Sequence, residues 1–127
     1  MRLLLDTHVL LWAALDDRRL SQHARQALAD ADNLYLSAIS VLELAIKISA
    51  GRLDATMSSA SLVTLSVQNL GLIELPVSVA HALRVAELPH IHGDPFDRLL
   101  VAQAQTEGLP LVTADSRIRR YDVETIW

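Results

Sequence analysis

Short apolar runs alternate along this chain with longer stretches in which apolar residues recur every three or four positions. Short continuous runs suit strands buried on both faces, and the longer period suits helices packed over them. The first run, Arg2–Leu5, ends at Asp6-Thr7. A helix is predicted over 9–15 and a more polar one over 21–31. A short strand, 34–36, precedes a strongly apolar helix, 40–50, stopped by Gly51. A helix over 60–70 stops at Gly71, followed by a strand, Leu72–Leu75, and by Pro76. A helix over 78–87 leads into a polar loop, 89–94. The next helix, Pro95–Glu107, has proline at its first position and Gly108 just past its end, the usual asymmetry of helix termini. A strand over 109–112 runs into Thr113-Ala114-Asp115, and 123–127 is a last short strand. Strands alternating with helices predict an α/β fold whose central parallel sheet is covered on both faces. In such sheets, sites form beyond the carboxyl ends of the strands.

Composition narrows the picture. At 127 residues, 51% hydrophobic and 20% charged, the chain fits one globular domain, 1–127, with a core that needs no staples. The apolar share is high and hints at a partner surface. Without cysteine there is no disulfide, thiolate metal site or cysteine nucleophile. The apolar start, MRLLLDTHVLLWAAL, is interrupted by Asp6 and His8 and meets Asp16-Asp17-Arg18-Arg19 rather than a small-residue cleavage site, so it reads as folded chain and not as a signal peptide. No uncharged stretch approaches the roughly 18 residues of a membrane helix, and a cytoplasmic location is expected. The net charge of −4 argues against a generic nucleic-acid binder unless bound cations offset a local acidic cluster.

Such a cluster follows from the order of the elements. Asp6 ends the first strand, and Asp115 lies just past a late one. Glu43 and Asp97 each fall in the first turn of a predicted helix. With parallel strands, all belong near one edge of the sheet. Carboxylates so close repel, and their pKa values rise. Mg²⁺ and Mn²⁺ favour carboxylate and water oxygens, and such ions activate water and stabilise the leaving oxygen in phosphodiester hydrolysis.

Each acid also has an ordinary structural role open to it. Asp94 is a natural N-cap, which makes Asp97 a dipole-favoured third residue. Ser40 and Glu43 have capping-box spacing, and Glu43 is placed to pair with Lys47. Asp115 suits the cap of a short helix. Asp6, which ends one apolar segment and opens another, has few such partners. Convergence separates the readings, because independent caps need not meet. Thr7 and Thr113 sit beside candidate ligands, to touch a metal water or to satisfy backbone. Arg98 is expected to be solvated or salt-bridged, with phosphate contact as the other role. Arg117, Arg119 and Arg120 form a basic run that is either a solvated face or an RNA contact. His8, His90 and His92 match no zinc spacing. Trp12, Trp127 and Phe96 are expected to pack.

These residues resemble a PIN domain, and specifically a VapC-type toxin of bacterial toxin–antitoxin pairs. The opening Leu3-Leu4-Leu5-Asp6-Thr7-His8 is similar to the family's start, as is Ser37-Ala38-Ile39-Ser40-Val41-Leu42-Glu43. The longest similarity is His92-Gly93-Asp94-Pro95-Phe96-Asp97-Arg98-Leu99-Leu100-Val101-Ala102-Gln103-Ala104, and Leu111-Val112-Thr113-Ala114-Asp115 completes the ordered set. The resemblance implies a three-layer α/β/α sandwich and a metal-binding set of Asp6, Glu43, Asp97 and Asp115. It further implies Mg²⁺ or Mn²⁺, cleavage of RNA, often tRNA, a homodimer, and inhibition by a small antitoxin from the neighbouring gene.

Two rivals compete. A haloacid-dehalogenase-type phosphatase also places Asp after its first strand, but needs a second Asp two residues on as general acid, where this chain has His8. Its late acids are also spaced differently from Asp94 and Asp97. A non-catalytic module that keeps the fold for a partner is disfavoured by intact acids at every expected position.

Overall fold

The computed structural model describes residues 1–53 and 56–127. Five strands, β1 (Arg2–Leu5), β2 (Asn33–Ser37), β3 (Leu72–Leu75), β4 (Leu111–Val112) and β5 (Thr125–Ile126), form one sheet in the order β3-β2-β1-β4-β5. Every pairing is parallel, with Leu4 opposite both Tyr35 and Leu111. Six helices connect them: α1 (Thr7–Ala14), α2 (Gln22–Asp30), α3 (Ala38–Ser49), α4 (Ser59–Leu70), α5 (Val79–Val85) and α6 (Pro95–Glu107).

The central strand shows why this sequence makes three layers. Side chains alternate faces along a strand. Leu3 and Leu5 enter one core with residues of α1, α2 and α4, including Leu10, Leu28 and Leu62. Leu4 enters the opposite core with Leu100, Val101 and Ala104 of α6 and Leu111 of β4. All three leucines are fully buried, so a slip of one residue would exchange the two faces. The α/β/α sandwich expected from the sequence is the fold observed.

The elements begin and end close to where the pattern predicts. Helix α6 carries its proline in the first turn and ends on Gly108, whose φ of 65° is left-handed and closes the last turn. The correction that bears on the site is at α3. Its predicted start at Ser40 is wrong. Strand β2 pairs with β3 as far as Ser37 and passes directly into the helix, with Ser37 as N-cap accepting from the Ile39 N–H at 3.1 Å. The expected Ser40–Glu43 capping box does not form. Ser40 lies inside the helix, and among the described residues its Oγ is the one buried side-chain polar atom without a partner. Trp12 and Trp127 pack together at the rim of one core, with centroids 5.7 Å apart. Phe96 is half-buried and belongs to neither core cluster.

Candidate active site

Asp6 leaves the carboxyl end of β1 as the N-cap of α1, so its side chain stays at the strand end while the backbone turns. Its Oδ1 accepts from the Thr7 N–H at 2.7 Å, and its Oδ2 accepts from the Thr113 hydroxyl at 2.7 Å. Thr113 lies one residue past β4, the strand paired with β1, so adjacent parallel strands deliver both groups to one edge. The same Thr113 Oγ1 accepts from the Asp115 N–H at 3.0 Å and so fixes the turn that carries Asp115. Both threonines therefore touch or flank the acids, as the sequence suggested.

Asp97 reaches the edge from α6. Asp94 caps that helix as expected, accepting from the Phe96 and Asp97 N–H groups at 2.9 and 3.1 Å. Glu43 comes from α3. Because α3 starts at Ala38, Glu43 stands in the second turn rather than the first, and it pairs with Lys47 at 2.7 Å as expected.

Burial sets the electrostatics. Asp6, Glu43 and Asp97 are buried, and Asp115 is partly so. Desolvation pushes the Asp6 carboxyl up to about 6, and the charge of Asp97 adds to the rise. The Thr113 and Thr7 hydrogen bonds and nearby His8 oppose it. Asp97 is also raised, first by burial and then by the charges of Asp94, Asp115 and Glu43, against the hydrogen bond from His92. Asp97 thus lies in the fields of every other acid predicted for the site. Asp115 is lowered, because Arg117 grips both its oxygens at 3.2 and 2.9 Å.

The carboxylates have each turned to a basic or polar neighbour. Arg117 stands 3.9 Å from Asp97 Oδ2, and His92 Nε2 stands 3.1 Å from the same oxygen. Among the described residues, no three acidic or histidine side chains are close enough, as placed, to enclose a metal ion. The donor set is nonetheless all oxygen, and hard divalent ions prefer that set. Asp97 Oδ2 and Glu43 Oε2 take the ion pairs, which leaves the second oxygen of each carboxylate for other bonds.

Arg98 departs from the sequence reading, and two further residues take roles that reading did not assign. Arg98 is neither solvated nor salt-bridged. It is buried and donates to the carbonyls of Pro89 and Val85 and to Tyr121 Oη. His92 forms no cluster with exposed His8 and His90; it contacts Asp97. Tyr121 was missed: it joins His92 and Arg98 across 29 and 23 residues, and no local pattern announces that. Of the basic run, Arg117 alone enters the acid cluster, while Arg119 and Arg120 are exposed. The phosphatase alternative loses ground, since exposed His8 stands where its general acid belongs and Asp94 is engaged as a cap.

The sequence matches the PIN domain family over residues 3–124. This chain belongs to the PIN domain family. Within it, the chain is of the VapC kind, being 37% identical over 118 residues to Ribonuclease VapC22 of Mycobacterium tuberculosis, a match covering 93% of this chain and 90% of the relative. The same PIN fold recurs in VapBC2 from Rickettsia felis bound to a DNA fragment from their promoter, with a TM-score of 0.74, 18% identity and complete coverage (100%) of both chains. DNA-bound VapBC from Salmonella typhimurium gives a TM-score of 0.70 at 15% identity, over 98% of this chain and 96% of that one. Among the described residues of this PIN domain, no helix is long and apolar enough to cross a membrane.

Proposed function

We propose that this PIN domain is a metal-dependent endoribonuclease acting as the toxin of a toxin–antitoxin pair. The supporting observation is the gathering of Asp6, Glu43 and Asp115 around Asp97 at the carboxyl edge of the sheet, with Asp6 and Asp97 buried against their own preference for charge. A fold gains no stability from such crowding unless a cation joins it. Asp6, Glu43, Asp97 and Asp115 are the residues that would hold Mg²⁺ or Mn²⁺. When bound, such an ion supplies an activated water and a counter-charge for the phosphate.

The chain's own groups define the rest. Thr113 and the Thr7 N–H hold both Asp6 oxygens in place. Arg117, more than half exposed beside Asp115 and Asp97, is placed to exchange its carboxylate contacts for an RNA phosphate. The similarity to Ribonuclease VapC22 favours RNA as substrate, with tRNA the first class to try. The fold shared with VapBC complexes favours a small antitoxin partner. A homodimer and a cytoplasmic location complete the proposal. Exposed Leu42 and Ile46 on α3 and Val79 and Leu83 on α5 offer apolar surface for self-association.

The test is cleavage of total cellular RNA by purified, antitoxin-free protein with Mg²⁺, Mn²⁺ or chelator, beside Asp97→Asn. Discrete fragments that need metal and vanish in the variant are expected. Metal binding without turnover on any RNA would replace the nuclease with a binding module.

A further inference from the structure

The side chains that hold Asp97 form a chain of hydrogen bonds with a single direction. It starts at Arg98, the residue after Asp97 on α6. Its side chain is turned inward, and the residue is only 8% exposed. It donates to Pro89 O at 2.8 Å, to Val85 O at 3.2 Å and to Tyr121 Oη at 3.2 Å. All three acceptors are neutral oxygens. A buried cation held this way polarises what it touches, because little water is present to screen it.

Tyr121 Oη therefore accepts from Arg98 and has one proton of its own to give. Its other partner is His92 Nδ1, 2.7 Å away. A neutral imidazole has one N–H and one acceptor nitrogen. With Nδ1 accepting from Tyr121, the ring proton sits on Nε2, which faces Asp97 Oδ2 at 3.1 Å. The ring is also fixed by edge-on packing against Tyr121, with centroids 5.5 Å apart.

We propose that Arg98, Tyr121 and His92 are positioning residues that lock His92 as the Nε2–H tautomer, so that Asp97 gives Oδ2 to the imidazole and keeps Oδ1 for the divalent ion. This rests on the metal-nuclease reading of the same edge. Arg98 does double duty, since the Val85 and Pro89 carbonyls belong to the segment leading from α5 to His92. One guanidinium thus fixes the segment that carries the histidine and directs the proton of the tyrosine that orients it. Outer partners of this kind change metal affinity by roughly 10–100-fold when removed.

Tyr121→Phe is the cleanest probe, because it removes one hydroxyl and keeps the ring. The full chain would be studied by ¹⁵N NMR of its histidines at a pH where His92 is neutral, and by Mn²⁺ titration followed by EPR. Wild type is expected to show His92 as the Nε2–H tautomer, with Tyr121→Phe giving a mixture of tautomers. Mn²⁺ binding is expected to weaken about tenfold in the variant, with RNA turnover falling in kcat more than in KM. His92→Gln, which keeps an N–H donor of similar reach, should retain more affinity than His92→Ala. A His92 proton on Nδ1, or a tautomer and an affinity unmoved by Tyr121→Phe, would overturn the relay. Mn²⁺ binding that ignores Asp97→Asn would instead overturn the metal reading, and the NMR result tells the two failures apart.

Discussion

Helix α6 carries two buried polar clusters under two turns apart, and they are built on opposite principles. Around Gln103 every polar atom is matched. The Ser37 hydroxyl donates to Gln103 Oε1, and Gln103 Nε2 donates to Pro76 O and lies 3.3 Å from His81 Nδ1. His81 in turn accepts from the Ser78 N–H at 3.0 Å and meets Glu107 at 2.7 Å through Nε2. Gln103 is fully buried, so this cluster pins the start of α3 to α5 and α6 through hydrogen bonds in which each buried polar group finds a partner. Around Asp97 that carboxyl and the carboxyl of Asp6 carry charge disfavoured by burial and by neighbouring carboxylates. The first cluster holds the fold, and the second is tolerated by it. Strain of that kind, gathered at a sheet edge, is what a binding site for cations looks like before the cation is considered.

Substitutions can break this contrast, and the largest expected effect is on activity. Asp97→Asn should lower RNA cleavage by more than about 100-fold while circular dichroism and Tm stay near wild type, because charge is lost and volume is not. Cleavage that survives would remove Asp97 from the mechanism. In the matched cluster, Gln103→Leu should do the reverse. It leaves the Ser37 hydroxyl and the Pro76 carbonyl buried without their partner, so about 2–4 kcal/mol of stability should be lost in denaturant unfolding. Metal-dependent cleavage per folded molecule should stay within about twofold. A variant as stable as wild type would show that the cluster is not what pins the helices.

Asp6 sharpens the comparison through pH. Its folded pKa is raised from 3.8 to about 6, so between those values the folded metal-free chain keeps a proton that the unfolded chain has lost. Stability from this group therefore falls as pH rises through that window and stays low above it. Asp6→Asn should be more stable than wild type by about 1–2 kcal/mol near pH 7.5 and should show no advantage near pH 4. The gain is kept below the full shift because the amide is a poorer acceptor for Thr113. Parallel stability curves across that range would contradict the raised pKa. The smallest effect belongs to Lys47→Met, which removes a partly exposed partner of Glu43 and should cost no more than about 1 kcal/mol.

What the sequence revealed follows from how local its signals are. Asp6, Asp97 and Asp115 were legible because each adjoins a strand end or helix start marked by its own neighbours. The Asp94 cap with Pro95 is such a mark. Glu43 was found for the right edge but in the wrong turn, since the serine at 40 mimics a cap while pairing of β2 with β3 carries the strand to Ser37. Sequence gives Arg98 the wrong surroundings, assigns His92 no partner and does not single out Tyr121. Their bonds span 23–29 residues, and only the closed fold brings them into contact. Gln103 was hidden for the same reason: a polar residue on an apolar helix face becomes intelligible once Ser37 and His81 are beside it.

The hydroxyl bond from Thr113 to Asp6 joins residues 107 apart in sequence. During synthesis Asp6 therefore emerges well before Thr113, and its second bond waits for β4 and the turn after it. A chain stalled before residue 111 holds three of the five strands and neither Thr113 nor Asp115. Completion of the acid edge is thus tied to the docking of β4 on β1 and not to any local structure around Asp6.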